Sequence, residues 1–413
     1  MMRLKSLVIL LAAGLCWTCQ TEFPIDVPNP IPDLPAGSVP IPDAVKPLME
    51  GVYTITNSNQ RFGSDAALKW AGTHMTLFTR SSYLTFETGT RDSIIYFRGY
   101  WRVPTSDDYG LIDLMIAKED GAASLLKGVM PATLIIKGVY GGGNQTAATP
   151  ITLQYERYFS SKVTGKKFRI VGHRGGGRTS DRLEISENSV EMIKYAGRLG
   201  ATGIEIDVRL TKDGVPILYH DGDINIRLTQ KSPLNGPIEN FTWDQLEAFV
   251  WLIRGEKIPT LEQALEAAID HTQLDFVWLD IKDPNVVAAI RYIQQDALDY
   301  AASKGRDIEI LMGVPADDVL EALKAQSNYT SIPSLCEISP EEARALNSRA
   351  WGPRWTLGTQ NDLVASVQAE GRIAICWTID VPAYINQYIT QGRFDGLLTN
   401  YPSYVAYYHY IQP

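Results

Sequence analysis

The stretch 203–221, GIEIDVRLTKDGVPILYHD, decides how the 413-residue chain folds. In its first six residues Ile204, Ile206 and Val208 alternate with Glu205 and Asp207. Side chains two apart on a strand share a face, so the two carboxylates point the same way and the aliphatic residues the other. Two neighbouring carboxylates repel unless a proton or a cation stands between them, so a hard divalent metal is the natural resident. Asp213 and Gly214 make a turn, and 216–220 reads as another strand, ending in His220.

Outward from this stretch, strand and helix patterns alternate. Strands are expected at 168–172, 203–208, 216–220, 276–282, 308–314, 335–338, 373–379 and 396–399. Helical stretches such as 189–199, 261–269, 285–303 and 317–325 lie between them. Eight strands within 168–413 predict an α/β fold, a (β/α)8 TIM barrel with its active site at the C-terminal ends of the strands. The polar residues fall at those ends. VGHRGGG places His173 and Arg174 after the first strand; Glu205 and Asp207 lie on the second; His220 ends the third; VWLDIK ends the fourth with Asp280 and Lys282. A core role does not account for so many ionisable groups on buried strands. The set suits metal-assisted displacement at an anionic centre, most simply a phosphate ester.

These blocks resemble the glycerophosphodiester phosphodiesterases, a branch of the phosphatidylinositol-phospholipase-C-like TIM barrels. Besides 203–221, the resemblance rests on HRGGG at 173–177, ENS at 187–189, RLT at 227–229, IPTLEQAL at 258–265, CWTID at 376–380 and DGLLTNYP at 395–402. It covers 168–410. It implies that His173 and His220 form the acid–base pair. Glu205, Asp207 and Asp280 would be ligands to Ca2+ or Mg2+, with Arg174 and Lys282 on the phosphate and Trp377 beside the glycerol group. Two positions depart from the family. Asp280 stands where it has Glu in E-I-K, keeping the charge on a side chain one methylene shorter, and Asn400 stands where it commonly has Asp. The loop 176–185 is longer than usual and is placed to cover the site. Asn188 is read either as support for the site or as a helix cap. His74, His271 and His409 are read as structural or solvated.

Upstream, 48–163 reads as a small all-β domain, a sandwich or a barrel, from short β-branched and aromatic runs between turn signals. Trp70, Tyr96, Tyr100 and Trp101 are assigned to its core rather than to a lipid or sugar site. No catalytic constellation and no ligand are evident there. Residues 20–47 carry eight prolines and read as an extended linker, with a strap along the domain surface as the alternative for Ile41 and Val45. Residues 1–19 combine Arg3 and Lys5 with the apolar run 7–15, which is too short to span a bilayer as a mature helix and predicts an export signal. Cys16 or Cys19, with Cys19 favoured, would carry a bacterial lipoprotein anchor, placing the protein in the periplasm or at the cell surface with membrane contact through its N-terminus. Cys336 and Cys376 read as buried apolar residues rather than a disulfide.

The formal charge is −9, which argues against a nucleic-acid partner. Residues 1–167 carry 16 Lys and Arg against 14 Asp and Glu, and 168–413 carry 22 against 33. The acidity thus sits in the half expected to bind a small phosphodiester, where a cation and local basic residues reverse the sign. The sequence reading is an exported, metal-dependent phosphodiesterase that releases glycerol 3-phosphate and an alcohol. A lysophospholipase D or phosphoinositide-type enzyme on lipid substrates, and a non-catalytic surface binding protein, are the alternatives.

Overall fold

The computed structural model describes residues 33–57, 61–178 and 183–413. Two closed barrels stand side by side. In the first, eight antiparallel strands pair in chain order, from Gly51–Thr56 to Thr149–Arg157, and the last pairs back onto the first. Closure leaves no free sheet edge. Period-two alternation sorts its side chains: along Ile94–Arg102, Ile95, Phe97 and Trp101 are buried while Tyr96, Arg98 and Tyr100 are half-exposed. Of the four aromatics assigned to the core, Trp101 belongs to it, Trp70 packs against it, and Tyr100 packs against the cluster shared with the second barrel. Tyr96 faces outward, and Trp70 and Tyr100 lie half-buried.

The described part of the expected linker does not stand free. Val39 bridges to Thr90, and Ile41, Val45 and Met49 join the apolar core of the first barrel. The helix Lys46–Met49 then leads into the first strand. Burial of these apolar side chains outweighs the extended preference of the prolines around them. Residues 1–32, with the expected signal and both candidate lipid-bearing cysteines, lie outside the described residues.

The second barrel has eight parallel strands: Arg169–Gly172, Gly203–Leu210, Phe276–Ile281, Glu309–Val314, Ser334–Cys336, Ala350–Trp351, Ile373–Cys376 and Gly396–Thr399. The first pairs with both the second and the last, which closes the ring. The strand expected at 216–220 is not a member. Pro216–Leu218 runs antiparallel to Gly203–Leu210, returning through a turn in which Gly214 has φ +84°. Five residues separate the two strands, too few for a parallel crossover, which needs a dozen or more. The missing member is Ala350–Trp351, whose two residues carry no periodic signal. Cys336 and Cys376 are buried and unpaired. Among the described residues no helix is long and apolar enough to cross a membrane.

One apolar cluster runs through both barrels. Val52, Ala67, Phe78 and Tyr83 of the first pack with Leu199, Tyr404 and Ala406 of the second. Phe78 rests on Gly200, where an added Cβ would come within 3.0 Å of the ring. Arg157 donates to the carbonyls of Ile411 and Gln412, and the Tyr100 and Tyr195 hydroxyls meet across the seam. His74 pairs with Arg198 across the seam, and His409 stacks on Phe168 within the second barrel, so both are structural. Removing the Phe78 ring by Phe78→Ala should cost about 3–5 kcal/mol. Fluorescence and circular dichroism should then report one shared, earlier unfolding transition; two separate transitions would contradict a common core.

Candidate active site

The register of neighbouring strands assembles an acidic cluster. Asp207 lies opposite Asp280, and Glu205 opposite Trp278, on the parallel pair Gly203–Leu210 and Phe276–Ile281. One oxygen from each of Glu205, Asp207 and Asp280 falls within 4.8 Å of the others. Glu205 and Asp207 are buried. Burial, then repulsion from Asp207 and Asp280, pushes Glu205 well above the usual carboxylate range. Burial pushes Asp280 up as well. It opposes ionisation of Asp207 too, yet Lys282, His220, His173 and Arg174 together hold that carboxyl at about 2.

Lys282 reaches into the cluster, with Nζ 2.9 Å from Asp207 and paired with Asp280. Burial disfavours its charge, but the three carboxylates raise it above the ordinary lysine range. A single ammonium does not balance three carboxylates, and Glu205 Oε1 is buried without a hydrogen-bond partner. Three hard oxygen donors with one left over fit Ca2+ or Mg2+.

His173 and His220 approach this cluster from different elements and are held in different ways. Asn400 fixes His173. The Asp380 carboxylate only accepts, so Asn400 donates Nδ2–H to it at 2.6 Å and turns Oδ1 to His173 Nδ1, 2.8 Å away. Nδ1 therefore carries the proton, and Nε2 is left with its lone pair, 3.7 Å from Glu205. Burial, then the neighbouring Arg174, lowers the imidazole to about 4. His220 arrives on the antiparallel return, and Asp221 accepts from its Nδ1 at 2.6 Å. Against the cost of burial, hydrogen bonds from Arg227, His220 and Asn225 hold Asp221 below the ordinary carboxylate range.

Arg174 has φ +57° between Gly172 and Gly175 and donates its backbone N–H to Glu205 at 2.7 Å. Its guanidinium pairs with Glu187 at 2.7 Å and comes within 4.0 Å of Asp207. Asn188 donates to the Asp207 carboxylate at 2.6 Å and accepts from its backbone N–H at 3.1 Å. Asn188 is thus a clamp on the site, and Ser189 caps the helix Val190–Tyr195. Arg174, with His173, Glu205, His220, Asp280 and Lys282, borders a cavity of about 450 Å³ at the mouth of the second barrel, whose walls include Trp278, Glu337, Arg354 and Trp377. The guanidinium of Arg354 lies over the Trp377 ring, 4.7 Å from its centre.

Sequence reasoning missed several of these partners. Asp221, Asp380 and Glu187 stood inside the quoted blocks as residues next to a histidine, in CWTID and in ENS. Glu337 and Arg354 follow the short strands Ser334–Cys336 and Ala350–Trp351, where no pattern marked them. Glu337 Oε1 is buried without a hydrogen-bond partner, and burial, then Asp280, raises its carboxyl well above the usual range. Of the expected covering loop 176–185, residues 179–182 lie outside the described residues.

The sequence model of the glycerophosphoryl diester phosphodiesterase family matches residues 173–404, more than half of the chain. The chain belongs to this family. A glycerophosphocholine phosphodiesterase of Eremothecium gossypii is 39% identical over 93 residues, which are 22% of this chain and 6% of that protein. Human glycerophosphodiester phosphodiesterase 1 is 32% identical over 124 residues, 28% of this chain and 34% of its own length. A glycerophosphodiester phosphodiesterase of Caldanaerobacter subterraneus is 25% identical over 245 residues, 57% of this chain and 95% of the relative. Among solved structures, a glycerophosphodiester phosphodiesterase from Parabacteroides distasonis has 24% identity and a TM-score of 0.47, covering 58% of this chain and 96% of that one. In this family member burial and the neighbouring Arg174 should keep His173 uncharged down to about pH 4. Asn400→Asp adds a negative charge beside Nδ1, which favours the imidazolium and moves the midpoint to higher pH. An NMR titration of the imidazole reads this directly, and an unmoved midpoint would contradict the assigned contact.

Proposed function

We propose that this chain hydrolyses glycerophosphodiesters to glycerol 3-phosphate and a free alcohol by metal-assisted acid–base catalysis. Family membership supports the reaction class. The observation that carries the assignment of roles is the contrast between the two histidines, one fixed by an amide and one by a carboxylate around one acidic cluster. A ring that is neutral with Nε2 exposed is ready to accept a proton. A ring whose Nδ1–H rests on a carboxylate is oriented for proton donation, the carboxylate balancing the charge it carries as the acid.

His173 is therefore assigned as the general base, taking a proton from the attacking oxygen, whether the glycerol 2-hydroxyl or water. His220, backed by Asp221, is the general acid and protonates the leaving alkoxide. Glu205, Asp207 and Asp280 would hold Ca2+ or Mg2+, whose contribution when bound is charge stabilisation at the phosphoryl oxygens. Arg174 and Lys282 border the same cavity and add fixed positive charge there. Trp377 forms the wall against which the glycerol group packs. The location proposed is outside the cytoplasm, on the export signature of residues 1–19 and a lipid-bearing Cys16 or Cys19. A small phosphodiester, not a nucleic acid, is the proposed partner of the site.

Purified protein supplied with Ca2+ or Mg2+ should release choline and glycerol 3-phosphate from glycerophosphocholine. His173→Ala and His220→Ala should each lower kcat by roughly 10²–10⁴. A folded, metal-supplied wild-type protein that turns over no glycerophosphodiester would refute this reading.

A further inference from the structure

Glu187 is a buried carboxylate that the proposed chemistry leaves without a part. It is 2% exposed. Its Oε1 accepts from two guanidiniums at once, Arg174 Nη1 at 2.7 Å and Arg227 Nη1 at 3.2 Å. On one side of it, Arg174 borders the catalytic cavity. On the other, Arg227 forks onto Asp221, with Nε 3.0 Å from Oδ2 and Nη2 2.6 Å from Oδ1. That same Oδ1 accepts from His220 Nδ1 at 2.6 Å. An unbroken line of charge-assisted hydrogen bonds thus runs from a guanidinium at the cavity to the imidazole of His220.

The chain on both sides of Glu187 is pinned. Ser186 donates its N–H and its hydroxyl to Glu256, at 2.9 and 2.6 Å. The Asn188 N–H donates to the Arg174 carbonyl at 2.8 Å. Two facing guanidiniums repel each other, and more strongly where water is excluded, so the anion between them holds both in place. Without it Arg174 is drawn to Asp207, the next carboxylate at 4.0 Å, and Arg227 loses the brace behind its fork.

We propose that Glu187 is a positioning residue that sets the phosphate contact and the general acid together. It holds Arg174 at the cavity and, through Arg227 and Asp221, orients His220 for proton donation. The proposal rests on the phosphodiesterase reading above. The chemistry is unchanged, since the proton still passes from His220 to the leaving alkoxide. Glu187 acts through the two arginines and touches no reacting group.

The test is the response of Glu187→Gln to the leaving group, with Ca2+ or Mg2+ supplied. The amide keeps the shape of the carboxylate and removes its charge. Choline leaves as a poor alkoxide that needs the acid's proton, whereas p-nitrophenolate leaves without one. The ratio of kcat on glycerophosphocholine to kcat on the p-nitrophenyl ester of glycerol 3-phosphate should fall on the order of tenfold, part of the roughly 10²–10⁴ that a positioned acid contributes. KM should rise for both esters, through Arg174. Asp221→Asn should lower the same ratio, and the double variant should lower it little further, because both act on one imidazole. Arg227→Lys, at a half-exposed position, keeps the charge, loses the fork and should move the ratio in the same direction, which serves if Glu187→Gln does not fold. A ratio unmoved in the folded variants, or losses that simply multiply in the double variant, overturns the proposal and leaves the phosphodiesterase reading standing. Turnover of neither ester by the wild type overturns both.

Discussion

Three carboxylates share the mouth of the second barrel with too little positive charge to balance them. At a separation near that of Glu205, Asp207 and Asp280, two ionised groups repel by on the order of 3–4 kcal/mol at an effective dielectric near 20. Much of the surrounding structure bears on that repulsion. Lys282 lies between Asp207 and Asp280, Asn188 clamps Asp207 from two sides, and the Arg174 backbone donates to Glu205. The left-handed backbone at Arg174 is what aims that N–H, and the glycines around it let the turn close. Among the three carboxylates, Glu205 Oε1 is buried with neither a hydrogen bond nor an ion pair, and there a cation has most to contribute.

The proposed acid–base pair follows from the same electrostatics. The nearby Asp207 favours the charged form of His173 against burial and Arg174, so a neutral base there needs a partner that adds no further negative charge. Asn400 supplies one, and it is itself oriented by Asp380. His220 has Asp221 instead, locked by Arg227 and Asn225. The substitution of Asn for the Asp common in the family thus acquires a physical meaning: it separates the two imidazoles by charge of partner. The first barrel sits away from this chemistry; it has an apolar core of its own and joins the second barrel through a shared apolar cluster around Phe78, Tyr83 and the terminal helix Pro402–Tyr410.

Much of the site was legible in the sequence because it depends on local periodicity. Glu205 and Asp207 are two apart on one strand, and Asp280 sits at the end of an apolar run, so their common face followed from alternation. The residues that orient them were less legible. Asn188 and Asn400 are 212 positions apart, and each acquires its role only when the ring of strands closes. The hairpin return was mistaken for a barrel member because an apolar run before His220 reads the same in either direction; the short connection was the signal that excluded it. Ala350–Trp351 offered two residues and no pattern, which hid Arg354 beyond it. In the first barrel the strands were legible and the inward face was not, since Tyr96 and Tyr100 are as aromatic as Trp101 and differ only in register. The prolines of 33–47 signalled an extended chain correctly but not that Ile41 and Val45 would be buried.

Glu205, Asp207 and Asp280 are proposed to form one divalent-cation site on which turnover depends. Equilibrium dialysis against Ca2+ or Mg2+, with glycerophosphocholine turnover followed on the same samples, measures it directly. One ion should bind per chain in the wild type, with loss of that ion in Glu205→Gln and Asp207→Asn and parallel loss of turnover in those variants and in chelator. Full turnover in chelator, or undiminished ion binding by the folded variants, would contradict it.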